Sequence, residues 1–274
     1  MGTLYLVATP LGNLEDITLR ALRILKQVSL VATEDTRTTG RLLKHFEISC
    51  PLVSYYEHNK LDRLERIMAA LAQGDVALVS EAGTPLLSDP GFELVQAAIA
   101  QGFEVVSIPG PSAITAALPA SGLPTDRFLF LGFLPRKAGE RRRLLASVSA
   151  QPVTLIFFEA PHRLRATLAD MVEVLGPARL AAVCREMTKL HEEIWRGTLA
   201  EALAEWQQRE PRGEFTLIVA GAAPAAAWDQ ARVEAALAEL LRAGVSPKMA
   251  ARQVTTQSGW PKREVYALAQ QIKK

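Results

Sequence analysis

The sequence predicts an α/β protein with two α/β domains and a small helical module after them. Three observations support this prediction. Short β-branched runs alternate with amphipathic segments in the first part of the chain, turn-rich segments interrupt the pattern at 118–126 and 222–227, and only helical patterns follow. We therefore expect an N-terminal α/β domain over 1–117, a second α/β domain over 122–222 and a helical module over 228–274.

The first domain alternates predicted strands and predicted helices without exception. Apolar runs rich in valine, isoleucine and leucine predict strands over 3–8, 29–33, 51–55, 75–80 and 103–108. Amphipathic periodicity predicts helices over 15–27, 38–46, 60–73, 91–101 and 112–118. Because strands separated by helices pair in parallel, we expect a parallel sheet that is covered on both faces.

The second domain continues with strand signals, and the tail reads as helix throughout. Strands are predicted over 128–133, 153–158, 179–183, 190–196 and 214–220, and helices over 138–149, 161–175 and 198–209. In the tail, one helix covers 230–243, Ser246-Pro247 begins a second, and Trp260-Pro261 begins a third. Three short helices of this kind resemble a helix-turn-helix bundle that contacts nucleic acid, or else a bundle that caps the fold or forms a dimer.

Composition excludes several classes of function. Of the 274 residues, 49% are hydrophobic and 22% charged, which is typical of a globular chain, and no apolar run approaches the ~20 residues of a membrane span. The first strand follows the N-terminus at once, without a basic leader, so we expect a cytoplasmic protein. Two isolated cysteines, Cys50 and Cys184, and the lack of an H-E-x-x-H spacing predict neither a disulfide nor a metal site.

The small net charge of +2 hides two basic segments. Residues 246–274 carry six lysine and arginine residues against the single acid Glu264, and a second cluster occupies 135–143. Paired basic segments indicate a polyanionic partner such as RNA, whereas either one alone is equally well explained as a solvated helix face.

Three turns that follow apolar strands predict one ligand pocket. These turns are Thr9-Pro-Leu-Gly-Asn13, Glu81-Ala-Gly-Thr-Pro85 and Pro109-Gly-Pro-Ser-Ala113. In an open α/β sheet such turns meet at the carboxyl edge, where small residues let a ligand approach the backbone. None of them is the G-x-G-x-x-G of a dinucleotide fold, and G-x-x-x-x-G-K is absent, so an organic ligand other than a dinucleotide or a nucleoside triphosphate is expected.

Eight sequence blocks follow one another along the chain: Ala8-Thr-Pro-Leu-Gly-Asn-Leu-Glu-Asp-Ile-Thr18, Glu34-Asp-Thr-Arg37, His58-Asn59, Ser80-Glu-Ala-Gly-Thr-Pro85 with Ser88-Asp-Pro-Gly91, Pro109-Gly-Pro-Ser-Ala113, Phe158-Glu-Ala-Pro-His-Arg163, Arg185-Glu-Met-Thr-Lys189 with His191-Glu192, and Gly213-Glu214. In this order they resemble the small-subunit ribosomal RNA methyltransferase I family, within the tetrapyrrole methylase superfamily. One departure is Glu81, where the family most often has aspartate, and the charge is kept. His45 matches no block and is expected to be structural or on the surface.

The resemblance implies S-adenosylmethionine bound in a cleft between two α/β domains, and a homodimer. It implies methyl transfer to the 2′-hydroxyl of a cytidine ribose in the decoding region of 16S rRNA. The cofactor-binding residues implied are Pro10, Ser80, Gly83, Thr84, Pro85, Leu87, Ser112, Ala113, Phe158, Glu186, Met187 and Thr216. The acceptor side is implied to hold the catalytic residues Arg37, Glu159, Arg185 and Lys189. For Ser112, a role as a helix N-cap hydroxyl is an alternative that can coexist with a ligand contact.

Two competing functions stay open at this point. A methyltransferase of the same fold and cofactor could act on a small tetrapyrrole or corrinoid precursor, although the basic segments and Glu34-Asp-Thr-Arg37 disfavour it. A non-catalytic RNA-binding factor for ribosome assembly would leave the three small-residue turns without a purpose.

Overall fold

Five parallel strands form the first sheet, in the order β3-β2-β4-β1-β5. The computed structural model describes residues 2–56, 60–223 and 228–273, so the predicted turn at His58-Asn59 lies outside the described residues. The strands are β1 (Thr3–Val7), β2 (Leu30–Thr33), β3 (Leu52–Ser54), β4 (Val76–Val79) and β5 (Glu104–Ile108). Four-residue strands such as β2 and β4 are buried along their whole length, as a sheet covered on both faces requires.

Two pairs of helices cover the two faces of this sheet. Helices α1 (Leu19–Gln27) and α2 (Thr36–His45) pack on one face, where Ile24 and Leu43 meet Val31. Helices α3 (Lys60–Gln73) and α4 (Phe92–Ala100) pack on the other, where Leu71 and Leu94 belong to one core. The predicted parallel sheet with helices on both faces is therefore confirmed.

The N-terminal end of α1 differs from the prediction of a helix over 15–27. Asn13 caps a single 3-10 turn over Leu14–Asp16, and Thr18 then caps α1 by accepting a hydrogen bond from the Ala21 amide at 3.0 Å. Two successive capping side chains break the segment, because each of them holds an extended backbone at the start of its own turn.

The second sheet is mixed, with the order β6-β7-β10-β8-β9. Its strands are β6 (Phe128–Phe133), β7 (Thr154–Glu159), β8 (Leu180–Arg185), β9 (Glu193–Thr198) and β10 (Phe215–Val219). Only β6 and β7 pair in parallel, and β10 lies antiparallel between β7 and β8. Helices α6 (Ala138–Val148), α7 (Leu164–Leu175) and α8 (Leu199–Gln208) cover one face through a core that includes Trp206 and Met171.

Helix α5 (Ala113–Ser121) covers the other face of the second sheet. It follows β5 of the first sheet, yet its residues Ile114, Ala117 and Leu118 pack with residues of β7, β8 and β10. The predicted linker over 118–126 therefore begins as helix. Gly122 ends α5 with φ of 78°, and the Arg196 guanidinium donates hydrogen bonds to the carbonyls of Ala120 and Ser121.

A tight loop delays the strand that was predicted over 190–196. Glu186 and Thr188 have φ of 50° and 66°, and the amides of Lys189 and Glu192 bond the carbonyls of Glu186 and Lys189. These turn bonds replace strand pairing until Glu193, where β9 begins.

The C-terminal helices form a unit of their own. The chain divides into the compact units Met1–Gly221 and Ala222–Lys274, and the second contains α9 (Gln230–Arg242), α10 (Pro247–Ser258) and α11 (Lys262–Lys273). Val233, Leu237, Val254 and Val265 form its core, and Gly259 makes the turn between α10 and α11. The proposed boundary between 117 and 122 stays a prediction. Among the described residues, no helix combines the length and the apolar surface needed to cross a membrane.

Two arginines of the basic cluster over 135–143 form ion pairs within the second sheet's helical layer. Arg141 is 5% exposed and its Nε donates to Asp170 at 2.6 Å, while Arg142 pairs with Glu173 at 3.2 Å on the surface. This segment is thus a weaker candidate for RNA binding than its sequence indicates.

We expect Arg141→Ala to lower the free energy of unfolding by about 3–5 kcal/mol, because it leaves the Asp170 carboxylate buried without its partner. Arg142→Ala, on the same helix, should lower it by less than about 1 kcal/mol, since an exposed ion pair contributes little. Urea unfolding of both variants provides the measurement, and equal losses would contradict the structural role of Arg141.

Candidate active site

A cleft of about 800 Å³ lies at the carboxyl ends of neighbouring strands of the first sheet and against one end of the second sheet. From the first sheet it is lined by the turns after β4 and β5. From the second it is lined by the end of β7, the start of β10 and the loop after β8. The volume falls within the range of small-molecule sites, and the location is where open α/β sheets bind ligands.

Hydrogen bonds join the three predicted turns into one unit, which we call the turn cradle (Thr9–Leu11, Ser80–Thr84 and Pro109–Ala113). The amide and carbonyl of Thr9 pair with the carbonyl and amide of Gly83, each at 2.9 Å. Ser80 Oγ donates to the Gly83 carbonyl at 2.9 Å, and Thr84 Oγ1 donates to the Pro111 carbonyl at 3.0 Å. The relative positions of the three turns are therefore set by direct bonds.

Gly83 leaves open the space at the centre of the turn cradle. Its φ of 83° is a conformation that favours glycine, and a Cβ atom there would lie 3.1 Å from Leu11 Cδ2 and 3.8 Å from Ser112 Cα. Ser112 begins α5 but its side chain makes no capping hydrogen bond, so the alternative role of an N-cap hydroxyl is not seen here.

The loop after β8 forms the opposite wall. Glu186 Oε1 accepts hydrogen bonds from Lys189 Nζ and from the Glu214 amide, both at 2.9 Å. Burial alone would lower the pKa of Lys189, but its hydrogen bonds to Glu186 and Glu214 raise it, so the ammonium form is favoured. The stem of Lys189 lies against Gly12, where a Cβ atom would come within 2.3 Å of Lys189 Cγ. Lys189 thus connects the second wall to the loop after β1.

Three acidic side chains converge on the cleft from two loops. Glu34 follows β2, while Glu81 and Asp89 belong to the segment after β4, and all three line the cleft. Burial first, and then repulsion from Glu34 and Glu81, raises the pKa of Asp89 to about 7. The pKa of Glu34 is raised by burial, by Glu81 and by Asp35.

The segment that carries Asp89 has a strained backbone. Leu86 and Ser88 have φ of 71° and 75°, which cost energy for residues other than glycine. Strain of this kind often accompanies functional loops, because the surrounding structure holds a side chain in one position.

Most of the predicted cofactor residues lie together on the cleft. Its lining includes Gly83, Thr84, Leu87, Ser112, Ala113, Phe158, Met187 and Thr216. Pro10 and Ser80 line a neighbouring groove instead, Pro85 is buried, and the Glu186 carboxylate is bonded to Lys189 beside the cleft.

The four predicted catalytic residues are dispersed. Arg37 is 85% exposed and pairs with Asp35, outside the cleft lining. Glu159 lines the cleft, but its carboxylate accepts bonds from the Ala160 amide and Thr167 Oγ1 and pairs with Arg163. Arg185 donates to the Arg212 carbonyl at 2.7 Å, and Lys189 is held as described above.

Asp89 is the residue that the sequence interpretation did not assign. It lies in the quoted block Ser88-Asp-Pro-Gly91, but nothing in one sequence states that this loop folds over the cleft beside Glu34 and Glu81. The signal in the sequence that could have found it is that acidic residues follow more than one predicted strand of the same sheet. Within the described residues, no three His, Cys, Asp or Glu side chains are arranged to hold a metal ion.

The fold is that of a tetrapyrrole methylase. Residues 3–203 match the family model for tetrapyrrole (corrin/porphyrin) methylases, and residues 227–273 match the model described as the RsmI C-terminal HTH domain. Two solved structures are similar in fold. One is uroporphyrin-III C-methyltransferase of Thermus thermophilus with S-adenosylhomocysteine, with 22% identity and a TM-score of 0.58 over 80% of this chain and 97% of that one. The other is cobalt precorrin-4 methyltransferase, with 15% identity and a TM-score of 0.62 over 80% and 94%.

Curated relatives extend the match to the whole chain. Proteins named ribosomal RNA small subunit methyltransferase I are 47% identical in Synechocystis sp., over 99% of both chains, and 48% identical in Halalkalibacterium halodurans, over 98% of this chain and 95% of that one. The Pseudomonas aeruginosa protein of that name is 53% identical over 80% of this chain and 79% of its own. The chain belongs to the ribosomal RNA small subunit methyltransferase I family, which confirms the predicted family and fold class.

Proposed function

We propose that the protein is an S-adenosylmethionine-dependent methyltransferase of small-subunit rRNA, which methylates the 2′-hydroxyl of a cytidine ribose in the decoding region of 16S rRNA. The observation that carries the proposal is the cleft built on the turn cradle, in a chain whose relatives of that name match it from end to end. The sugar position, the base and the rRNA region follow from the sequence resemblance.

The turn cradle fits the proposed cofactor. Gly83 opens a space that a Cβ atom would fill, and Thr84, Ser112 and Ala113 present only small side chains to it. We assign donor binding to these residues, with Leu87, Phe158, Met187 and Thr216 completing the site. Pro10 and Ser80 line the neighbouring groove, Pro85 is buried and Glu186 is bonded to Lys189, so we propose that these four support the site without lining it. When bound, S-adenosylmethionine supplies an electrophilic methyl group on a cationic sulfonium, which suits a wall that carries Glu34, Glu81 and Asp89.

Asp89 is the residue we propose as the proton acceptor. A ribose hydroxyl is a weak nucleophile, and a carboxylate that titrates near neutral pH is the general base best matched to cellular conditions. Asp89 lines the cleft, and its raised pKa of about 7 makes it more basic than an ordinary aspartate. It would take the hydroxyl proton as the ribose oxygen bonds to the methyl carbon, while the bond between that carbon and the donor sulfur would break and leave S-adenosylhomocysteine.

Arg37, Glu159, Arg185 and Lys189 remain candidates on the acceptor side. Glu159 and Lys189 make hydrogen bonds that hold the second wall, so we propose that they position this wall rather than transfer a proton. Arg37 is exposed and available to a phosphate, and Arg185 fixes the segment that leads to Gly213.

The proposed function is tested by methyl transfer from labelled donor to small ribosomal subunits from cells that lack the protein. We expect one labelled 2′-O-methylcytidine in 16S rRNA. Ala113→Trp should abolish both transfer and donor binding by calorimetry, because Ala113 lines the cleft and an indole there would fill it. Thr115→Trp, at an exposed position on the same helix, provides the control and should bind the donor normally.

Other outcomes would support the competing functions. Donor binding without RNA methylation, together with methylation of a porphyrin precursor, would favour the tetrapyrrole alternative. RNA binding without any donor binding would favour a non-catalytic assembly factor. Full donor affinity in a folded Ala113→Trp variant would contradict the assigned donor site.

We expect turnover to fall as the pH drops through about 7, since Asp89 is then protonated and cannot accept a proton. Asp89→Asn should lower kcat by about 10²-fold or more and remove this dependence. Glu34→Gln removes one of the charges that raise the pKa of Asp89, so it should move the midpoint of the profile to lower pH. The measurement is the initial rate from pH 5.5 to 9.

Stability provides the control for Asp89→Asn. A pKa raised above its unfolded value makes the folded wild type lose stability as the pH rises from about 4 to about 7. The asparagine variant lacks this loss and should be at least as stable as the wild type at pH 8, so a slow variant cannot be explained by unfolding. An unchanged pH profile in the active variant would exclude Asp89 as the base.

We also propose that the C-terminal unit contacts the rRNA, that the chain is a cytoplasmic protein and that it forms a homodimer. Lys248, Arg252, Lys262 and Arg263 are exposed on α10 and α11. Leu19 and Leu190, which are 85% and 93% exposed in the first unit, are large apolar side chains of the kind that a subunit interface covers.

We expect deletion of 228–274 to leave donor affinity unchanged while weakening RNA binding and flattening its salt dependence, because phosphate contacts release counterions. Sedimentation of the full and truncated chains provides the second measurement, and the homodimer proposal expects twice the chain mass in both. Full RNA affinity with an unchanged salt slope would contradict the RNA role, and a truncated monomer would place the dimer contacts in the tail.

A further inference from the structure

A groove of about 410 Å³ lies beside the cleft, between the loop after β1 and helix α2. We call it the α2 groove. Its α2 side consists of Thr38, Thr39, Arg41, Leu42 and His45, which recur at helical spacing along one face. The groove and the cleft share Leu11, Glu81 and Ala82 as lining residues. A molecule that occupies the groove therefore adjoins the contents of the cleft.

The part of the chain that contains helix α2 is basic. Residues 19–46 contain six lysine and arginine residues and only two acids, Glu34 and Asp35. Both helices of this segment, α1 and α2, pack on the same face of the first sheet. Asp35 pairs with Arg37, whereas neither Arg41 nor Lys44 has an acidic partner among the described residues. This face is complementary to a polyanion.

The lining of the groove suits a nucleotide in particular. Pro10, Leu14 and Leu42 provide apolar surface, and the cation Arg41 and the imidazole of His45 stand next to it. An unpaired nucleotide offers the same combination of features, because its base and sugar have apolar faces and its phosphate is charged.

The acidic residues of the cleft explain why the phosphates of an RNA strand would have to bind outside it. Glu34 and Asp89 line the cleft and not the groove, and they would repel a phosphodiester from the cleft, although a neutral ribose hydroxyl can enter. Glu81 lines both openings. The basic cluster over 135–143 contributes no residue to the lining of the cleft or of the groove, and its Arg141 is buried against Asp170. The α2 groove is lined by the cation Arg41 and shares part of its lining with the cleft.

We propose that the α2 groove binds the unpaired nucleotide that flanks the methylated residue in the RNA strand, with its phosphate against Arg41. This proposal rests on the proposed function, because it assigns a place to the RNA of that reaction. The groove is thereby an RNA subsite, and the cleft holds the donor and the target ribose.

The first test compares Arg41→Ala with Arg66→Ala in the full chain. Arg66 is an exposed arginine on α3, whose core lies on the opposite face of the first sheet, so it is a matched control. Arg41→Ala should raise the KM for small-subunit RNA about tenfold, as the loss of one charge-assisted contact predicts. It should also lower the slope of log affinity against log salt by about 0.7. The donor Kd by calorimetry should change less than about twofold, and Arg41→Lys should recover part of the salt slope.

A second variant fills the groove without removing a charge. Thr38 is exposed on α2, so Thr38→Trp is compatible with folding. We expect it to raise the KM for RNA, to leave the donor Kd unchanged and to keep the salt slope of the wild type. This combination separates occupation of the groove from a general effect of surface charge.

Three outcomes overturn the proposal. Arg41→Ala and Thr38→Trp could both match Arg66→Ala in KM and in RNA affinity, which would mean that RNA does not enter the groove. A loss of donor affinity as large as the loss of RNA affinity would assign the groove to the donor. Thr38→Trp could bind RNA normally while Arg41→Ala does not. This result would mean that Arg41 attracts RNA as a surface charge and that no nucleotide enters the groove. A wild type that binds RNA but does not methylate it would contradict the proposed function. In that case the binding titrations would still show whether RNA occupies the groove.

Discussion

The pairing of Thr9 with Gly83 is the interaction on which the rest of the site depends. Parallel strands align the starting points of their loops, but they do not determine where the loops go next. Here the loops after β1 and β4 are held by two reciprocal backbone hydrogen bonds, and Thr84 extends the connection to the turn after β5. Because the bonded groups are backbone atoms and small side chains, the centre of the turn cradle stays open. A larger residue than glycine at position 83 would both strain the backbone and occupy this space.

Helix α5 connects the turn cradle to the second sheet. It begins in the turn cradle and packs its apolar face on β7, β8 and β10, so the start of the helix and the opposite wall belong to one hydrophobic core. Arg196 of β9 bonds the last carbonyls of α5, which satisfies them and places a cation at the negative end of the helix dipole. The cleft is therefore shaped by a buried helix as much as by loops.

Local patterns predicted much of this architecture, and contacts between distant segments account for what they missed. The first sheet was predictable because each of its five strands, β1 to β5, is a short apolar run that is followed by a helix. In the second sheet the strand segments were found, but their pairing was not, because β10 inserts between β7 and β8 from far along the chain. Pro119 and the turn-rich segment after it suggested a linker, yet packing and Arg196 extend α5 to Ser121. For the site, Gly83, Ser112 and Ala113 were found through their turns, whereas the position of Asp89 depends on a strained loop and on acids from other strands.

The distribution of charge connects the donor, the acceptor and the fold. In the proposed reaction the donor is a cation and the acceptor strand is a polyanion, so one site must attract the first without excluding the reacting part of the second. The acids of the cleft favour the sulfonium and raise the pKa of Asp89, because burial and like charges both oppose its ionisation. In the proposed reaction the same acids would keep phosphates out of the cleft, so the RNA backbone would stay beside it, where Arg41 of α2 lines the groove. The loops after β1 and β4 lie between the acidic cleft and the α2 groove. The backbone hydrogen bonds between Thr9 and Gly83 hold these two loops together.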